Sequence, residues 1–319
     1  MRLGFAVKVL GGGGLPSHDT RRHASDPSLG VSLDFLDAIF DHLDAHDIRF
    51  YRMATGLAPY ASHPQLTRFR DQPHRFAERL AEVGARAREL GLRLSTHPGQ
   101  YTVLNSEDPE VQRLAVVELE VQAELMDGMG LGPECVVVLH VGGGAGGPQA
   151  AMDRFARGFS LLSEAAQRRL VVENDDRTFA LCDVLALSER IGRPVVWDIL
   201  HHHCNDPERI PDREALERAL ATWPPGVTPK IHYSTPKTAV TEKTRKIGRR
   251  VERSLVLPEL RAHADVIDPI GFEHFVCETA RGLHFDVMLE AKAKDLALLR
   301  LRAQLAARGV AVDVPLVRA

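Results

Sequence analysis

Short apolar runs alternate with helical patterns along most of this chain, and no other feature constrains its fold as strongly. The run VVVLHV, residues 136–141, is almost wholly apolar, which is typical of a parallel strand buried on both faces. The segment AERLAEVGARARELG, residues 77–91, has the spacing of an amphipathic helix and ends at a glycine. Strands are predicted over residues 2–7, 48–53, 92–97, 135–141, 170–174, 194–198, 229–233 and 285–290.

The order of these elements predicts an α/β fold, a (β/α)8 TIM barrel formed as a single domain by residues 1–319. Helices are predicted over residues 33–45, 73–90, 110–126, 150–168, 179–191, 212–222 and 291–307. The connection over residues 235–284 is long and has no clear pattern. A doubly wound sheet is the alternative, but no GxGxxG follows the first strand, so we expect no nucleotide cofactor.

Composition places the chain among soluble globular proteins, with 44% hydrophobic and 26% charged residues. No apolar run approaches the ~18 residues of a membrane helix, and the N-terminal stretch MRLGFAVKVL lacks a signal-peptide pattern. We therefore expect a cytoplasmic protein without membrane contact, and a monomer. The four cysteines have no CxxC spacing, which indicates neither a disulfide framework nor a thiolate metal site. A net charge of −3 neither requires nor excludes nucleic acid.

Histidine and carboxylate side chains occur where the predicted strands end. Active sites of TIM barrels lie at the carboxyl ends of the strands, and imidazole and carboxylate are ligands of Mn²⁺, Zn²⁺ and Fe²⁺. Nine candidates are too many for one tetrahedral ion, so two or three divalent ions are predicted. Seven of the candidate ligands lie at strand ends: His97, His140, Glu173, Asp198, His201, His232 and Glu290. The other two, His63 and His263, lie in the loops after the second and seventh strands.

The joint pattern, rather than any single residue, carries the prediction of a metal centre. A lone histidine or glutamate at a strand end is more often a hydrogen-bonding or capping group. A charged Glu173 or Asp198 among apolar strands, however, costs several kcal/mol unless it is compensated, and cations would compensate several such groups together. Several divalent ions in one site favour hydrolysis of phosphate esters, with Glu173 and Glu290 as the central catalytic carboxylates.

Lys230 precedes His232 by two positions, so both side chains are predicted to face the same side of a strand. Divalent cations on that side would lower the pKa of the amine. A neutral amine there could form a carbamate with CO2 and become an anionic ligand. The alternative is that Lys230 acts as a catalytic point charge on the scissile phosphate.

A basic segment, KTAVTEKTRKIGRRVERS from Lys237 to Ser254, carries seven basic residues against two acidic ones. It falls in the connection after the seventh strand, on the predicted catalytic face. A solvated helix face is the alternative, but the position favours contacts to a phosphate backbone. The residues predicted to make them are Lys243, Arg245, Lys246, Arg249 and Arg250.

Several motifs together make the sequence resemble the UV damage endonuclease family over nearly the whole chain: LAPYASHP, LSTHPGQYTVLNS, VLHVGG, VENDD, KIHYS and VMLEAKAKDLAL. The resemblance implies a TIM barrel that cuts double-stranded DNA directly 5′ of UV photoproducts, cyclobutane dimers and 6-4 photoproducts. It implies a metal cluster held by the same nine residues, with Mn²⁺ favoured and Zn²⁺, Mg²⁺ or Co²⁺ as alternatives. Relatives commonly have tyrosine in place of Phe5 and two serines in place of Ala54–Thr55.

Within the stretch HPGQY, His97 is a predicted ligand, and the two side chains after the Pro98–Gly99 turn need another explanation. The resemblance implies that Gln100 and Tyr101 probe the DNA. If the damaged dinucleotide leaves the base stack, Tyr101 offers a face for stacking and Gln100 can hydrogen-bond the bases left opposite. The alternative is that Tyr101 packs under the loop and Gln100 is merely solvated.

Two other functions share the predicted barrel and ligand ring. One is the sister class of abasic-site endonucleases, against which the stretch HPGQY argues. The other is a metal-dependent sugar isomerase, which needs neither the basic segment nor a lesion-probing pair.

Overall fold

A ring of eight parallel strands is the centre of the computed structural model, which describes residues 1–248 and 250–312. The strands are β1 Leu3–Ala6, β2 Phe50–Arg52, β3 Arg93–Ser95, β4 Val137–His140, β5 Leu170–Glu173, β6 Val195–Val196, β7 Lys230–Tyr233 and β10 Asp286–Leu289. Five strands pair in the order β3-β2-β1-β10-β7 and three in the order β4-β5-β6. Isolated parallel bridges, Thr96 with Val137 and Asp198 with His232, join the two sheets on both sides, so the TIM barrel is confirmed.

Each barrel strand lies within its predicted range but is shorter than predicted. The ladder hydrogen bonds end where the chain turns outward, so several predicted ligands lie at or just past a strand end. His140 and Glu173 are the last residues of β4 and β5, whereas Asp198 and Glu290 follow β6 and β10. These polar residues therefore lie at the carboxyl ends of the strands, at the mouth of the barrel.

Helices cover the outside of the ring and bury their apolar faces against it. In α1, Leu33, Leu36, Phe40 and Leu43 are buried, which is the three-to-four residue spacing of one helix face. The helices are α1 Leu29–Ala45, α2 Gln72–Arg75, α3 Ala77–Glu89, α4 Pro109–Gly128, α5 Pro148–Phe159, α6 Glu164–Arg169, α7 Leu181–Ile191, α8 Ile199–Cys204, α9 Asp212–Ala221, α10 Pro269–His274 and α11 Lys294–Ala307.

Two predicted helices are each divided in the structure. The helix predicted over residues 150–168 consists of α5 and α6, because the side chain of Ser163 accepts a hydrogen bond from the Ala166 amide and starts a new helix. The helix predicted over residues 73–90 consists of the single turn α2 followed by α3. Neither division moves a predicted site residue.

The long seventh connection contains a second sheet outside the barrel. Strands β8 Thr241–Ile247 and β9 Arg250–Val256 pair antiparallel to form a hairpin. The alternative of a solvated helix face is therefore wrong for this segment, whose threonine, valine and isoleucine residues favour the extended chain. In the described ranges 1–248 and 250–312, no helix is both long and apolar enough to span a membrane.

Candidate metal centre at the barrel mouth

Seven of the nine predicted ligands converge at the carboxyl ends of the strands. The β4–β5 register places His140 beside Glu173, and the bridge that closes the barrel places Asp198 beside His232. Donor atoms lie within 4.8 Å of one another in three overlapping groups. These groups are His97, His232 and Glu290; His97, His140 and Glu173; and Glu173, Asp198 and His201.

Glu173 is at the centre of the cluster, and its side chain is fully buried. One carboxylate oxygen, Oε1, lies 2.7 Å from Nδ1 of His232. The other, Oε2, lies 2.9 Å from Nε2 of His97 and 3.7 Å from Nε2 of His140. Burial raises the pKa of Glu173, but the three imidazoles together outweigh it and hold the pKa well below its usual value. Glu173 is therefore an ionised carboxylate surrounded by nitrogen donors.

Glu290 is the second central carboxylate, and it brings His263 into the cluster. Its Oε2 lies 3.6 Å from Nδ1 of His263, and its Oε1 lies 3.5 Å from Nδ1 of His232. The guanidinium of Arg52 approaches the same Oε1 to 2.6 Å and lies 2.9 Å from Nε2 of His232. Arg52 thus holds the carboxylate from the side of β2.

Asp198 and His201 are fixed by the start of α8. The Asp198 side chain caps this helix by accepting from the His201 amide at 2.8 Å. The side-chain amide of Asn174 exchanges two hydrogen bonds with the Asp198 backbone. The backbone carbonyl oxygen of Asn174 lies 3.0 Å from Nδ1 of His201. Burial lowers the pKa of His201, but Asp198, Glu173 and Glu290 outweigh it and raise the pKa to about 9.

The donor set fits divalent cations. Among the described residues, Asp198 Oδ2, His97 Nδ1 and His140 Nδ1 are buried without a hydrogen-bond partner. A buried polar group left unpaired costs about 1–3 kcal/mol, so unpaired atoms in a carboxylate–imidazole cluster indicate a site built for ions. Oxygen and nitrogen donors without thiolates suit Mn²⁺ and Zn²⁺.

A cavity of about 250 Å³ opens beside Glu290 and is lined by Arg52, His263, Lys292 and Lys294. Three of these four side chains belong to basic residues. The cavity therefore offers cationic donors next to the cluster, which suits a phosphate group.

His63 is the predicted ligand that the structure does not bring into the cluster. Its Nδ1 accepts hydrogen bonds from the amides of Gln65 and Leu66, and its ring lies 6.1 Å from that of Tyr60. Within the described ranges, no hydrogen bond, ion pair or ring contact joins His63 to the other eight candidates. Its role as a ligand stays a prediction.

Lys230 lies inside the barrel, and its side chain is fully buried. Its Nζ is 3.4 Å from the Ser95 hydroxyl and 5.4 Å from the centre of the Phe50 ring. Burial, with Arg52 and Arg93 nearby, lowers the pKa of Lys230 well below its usual value. Full burial does not fit a point charge that contacts a phosphate at the mouth, whereas it is compatible with the predicted carbamate.

Arg52 and Asn174 are site residues that the sequence reasoning missed. The candidate ligands were histidines and carboxylates only, and an arginine repels cations. A signal was present, because Arg52 is the last residue of β2, at a strand end like the predicted ligands. Asn174 stands directly after Glu173, and nothing in its residue type distinguished it from a loop residue.

Gln100 and Tyr101 are both exposed in the connection after β3, and Tyr101 is 85% exposed. The alternative that Tyr101 packs under the loop is therefore wrong. Lys243, Arg245, Lys246 and Arg250 are exposed on the hairpin. Arg249 lies outside the described residues.

Comparison with known proteins shows the family of the chain. The family model described as UV-endonuclease UvdE matches residues 32–316. The chain belongs to this family. The UV DNA damage endonuclease of Bacillus mycoides (strain KBAB4) is 33% identical over 300 residues, which cover 91% of this chain and 87% of that protein. The UV DNA damage endonuclease of Bacillus pumilus (strain SAFR-032) is 33% identical over 82% of this chain and 77% of that protein.

Solved structures agree with the fold. The crystal structure of SacUVDE has a TM-score of 0.80 at 29% identity and covers 98% of this chain and 100% of that chain. A D-psicose 3-epimerase from Clostridium cellulolyticum H10 has a TM-score of 0.55 at 10% identity, covering 97% and 99% of the two chains, a likeness of fold alone. The resemblance to UV damage endonucleases is confirmed, and the chain is a member of a family of enzymes that hydrolyse phosphodiester bonds.

Proposed function

We propose that this protein is a metal-dependent endonuclease that nicks duplex DNA immediately 5′ of UV photoproducts, both cyclobutane dimers and 6-4 photoproducts. The observation that carries the proposal is the buried cluster around Glu173 and Glu290 in a member of the UV-endonuclease family. Membership in that family favours this function over abasic-site cleavage and sugar isomerisation. The monomeric state and the cytoplasmic location stay predictions.

Two or three divalent ions, Mn²⁺ by preference, are the proposed cofactors. When bound, such ions activate water and stabilise the charge on the oxygens of the phosphate. The residues proposed to hold them are His63, His97, His140, Glu173, Asp198, His201, His232, His263 and Glu290.

The chain's own groups orient the substrate in this proposal. Lys292, which is exposed beside Glu290, contributes charge for the scissile phosphate. Arg52 keeps Glu290 in a fixed position through its 2.6 Å contact. The exposed pair Gln100 and Tyr101 occupies the space left by the damaged dinucleotide.

An incision assay tests the proposal. End-labelled duplexes that are intact, abasic or UV-damaged are incubated with the metal-free protein and with Mn²⁺, Zn²⁺, Mg²⁺ or Co²⁺ in turn. We expect one cut, at the phosphodiester directly 5′ of the photoproduct, that requires an added ion. Cleavage of the abasic duplex alone would support the sister class instead.

Glu290→Gln is the decisive variant because it keeps the shape of the side chain and removes its charge. We expect incision to fall by at least about 10²-fold with an unchanged circular dichroism spectrum. The control is Glu164→Gln, at a side chain that is 94% exposed on α6, and it should incise normally. Near-normal incision by Glu290→Gln would contradict the metal-cluster proposal.

A further inference from the structure

The β8–β9 hairpin has no covering partner in the described part of the chain. All of β8 and all of β9 except its last residue are exposed, including Ile247 at 53%, Val251 at 52% and Leu255 at 78%. A two-stranded hairpin alone in water is marginally stable. An element of this length, with neither face packed on the barrel, is suited to contact a second molecule.

The base of the hairpin is attached at the candidate metal centre. Pro236 and His263 form an antiparallel bridge below it, and the Ala264 amide donates to the Thr235 carbonyl oxygen at 2.8 Å. His263 in turn approaches Glu290. The hairpin therefore begins at the mouth of the barrel, next to the cluster.

The hairpin and the Gln100–Tyr101 pair lie on opposite sides of this mouth. Around the closed ring, β3 and β7 are four strands apart in either direction. Gln100 and Tyr101 follow β3, and the hairpin follows β7. A duplex placed over the metal centre would thus meet the exposed pair on one side and the hairpin on the other.

Both faces of the hairpin are positively charged. The register pairs Lys243 with Ser254, Arg245 with Glu252 and Ile247 with Arg250 on one face. The other face carries Lys246 opposite Val251 and Arg253 opposite Thr244, and its acidic residue, Glu242, contacts Arg253. Cations on both faces suit an element that has phosphates on either side of it, as a DNA groove provides.

We propose that the β8–β9 hairpin enters the major groove of the substrate duplex and binds it whether or not a lesion is present. The proposal rests on the proposed function only in taking duplex DNA as the substrate. Seven residues per strand give a ribbon about 24 Å long at ~3.4 Å per residue. The major groove, about 12 Å wide, admits a two-stranded ribbon, whereas the minor groove, about 6 Å wide, is too narrow.

Arg245→Gln combined with Arg250→Gln tests the contact to phosphate. Both arginines are exposed, and among the described residues neither forms an ion pair, so the change removes no salt bridge. Arg157→Gln with Arg168→Gln is the matched control, since both are exposed in the last turns of α5 and α6, at the opposite end of the barrel. Binding to intact and UV-damaged duplexes is measured with full-length protein over a series of salt concentrations.

The hairpin variant should bind both duplexes at least about tenfold more weakly, with a salt dependence less steep by about two counterions, and with an unchanged preference for damaged DNA. The control should match the parent. A salt dependence equal to that of the parent would overturn the proposal. A selective loss of damaged-duplex binding would also overturn it, because the hairpin would then read the lesion.

Groove and partner are tested separately. Methyl green, a major-groove ligand, should compete with the parent protein more strongly than netropsin, a minor-groove ligand, and the reverse order would overturn the assignment of the groove.

Light scattering should give the same mass for parent and variant; a smaller mass for the variant would mean that a second copy covers the hairpin. Binding to intact duplex also tests the hairpin if the parent does not incise UV-damaged DNA, so the two proposals fail separately.

Discussion

At the scale of single residues, Arg52 is a positively charged side chain within a cluster that we propose binds metal ions. Its guanidinium lies against Glu290 and His232, where it balances negative charge that divalent ions would also balance. Glu290 has a pKa below its usual value, since the effect of burial, which raises it, is outweighed by Arg52 and His232. Arg52 is therefore a positioning residue whose role overlaps electrostatically with that of the ions.

Arg52→Gln should destabilise the metal-free protein by about 3 kcal/mol, because it removes one partner of a buried ion pair. Added Mn²⁺ should restore more of the free energy of unfolding in this variant than in the parent. Urea unfolding with chelator and with Mn²⁺ measures both values. Arg52→Lys keeps the charge and should lose less. Equal effects of Mn²⁺ on variant and parent would show that Arg52 and the ions do not share Glu290.

A second prediction for a single residue concerns Lys230. Burial, with Arg52 and Arg93 nearby, lowers the pKa of Lys230, which favours the neutral amine that reacts with CO2, so we expect its Nζ to bond the carbon of CO2 with release of a proton. Protein equilibrated with ¹³C-bicarbonate should give a carbamate signal in its ¹³C NMR spectrum that is absent from Lys230→Met. High-resolution density that ends at Nζ with ions bound would rule the carbamate out.

At the scale of elements, the loop after β3 contains both a candidate metal ligand and the two residues proposed to contact DNA. His97 points to Glu173, whereas Gln100 and Tyr101 are exposed at the centre of a turn. The Thr102 amide closes this turn by donating to the Gly99 carbonyl oxygen at 2.9 Å, so the turn lies one residue later than the predicted Pro98–Gly99 turn and includes both exposed side chains.

The double variant Gln100→Ala, Tyr101→Ala should keep its metal content and melting temperature. Its preference for UV-damaged over intact duplex should fall by at least about fivefold, since stacking on one base is worth ~1–3 kcal/mol. Competition binding with the two duplexes measures this preference. Glu107→Ala, at a residue exposed in the same connection, is the control. If the double variant selects damaged DNA as well as the parent does, lesion recognition lies elsewhere.

At the scale of the whole molecule, metal binding and folding are linked through pH. In the metal-free protein the pKa of His201 is raised to about 9, so its proton stabilises the fold fully below the unfolded pKa of about 6.5. This contribution is lost as the pH rises through about 9. An ion must displace that proton to use the imidazole, so ion binding is favoured at higher pH.

The rise in melting temperature caused by Mn²⁺ should therefore be larger at pH 8.5 than at pH 6.5. Thermal unfolding with and without Mn²⁺ at both pH values is the measurement. His201→Asn should flatten this difference, whereas His203→Asn, at a neighbour that pairs with Asp212, should keep it. The same pH dependence in parent and His201→Asn would exclude His201 as the group responsible.

The order of strands and helices along the chain predicts the barrel, and eight of the nine candidate ligands converge at its mouth. Strand runs such as residues 136–141 alternate with amphipathic helices, and parallel strands bring their carboxyl ends together whatever connects them. A residue at the end of a run, such as Glu173, is therefore placed by chain order alone. His263 lies far past the end of β7 in the sequence, and it reaches the mouth because its loop pairs with Pro236.

The contacts between distant residues and the burial of side chains are known only from the tertiary structure. Chain order does not predict that Arg52 on β2 reaches Glu290, two strands away around the ring, that Lys230 is fully buried, or that His63 hydrogen-bonds within its own loop. The basic segment is ambiguous in sequence, and its antiparallel register shows that its charges lie on both faces. A contact such as that of Arg52 with Glu290 joins residues far apart in sequence, so it forms only once the ring has closed.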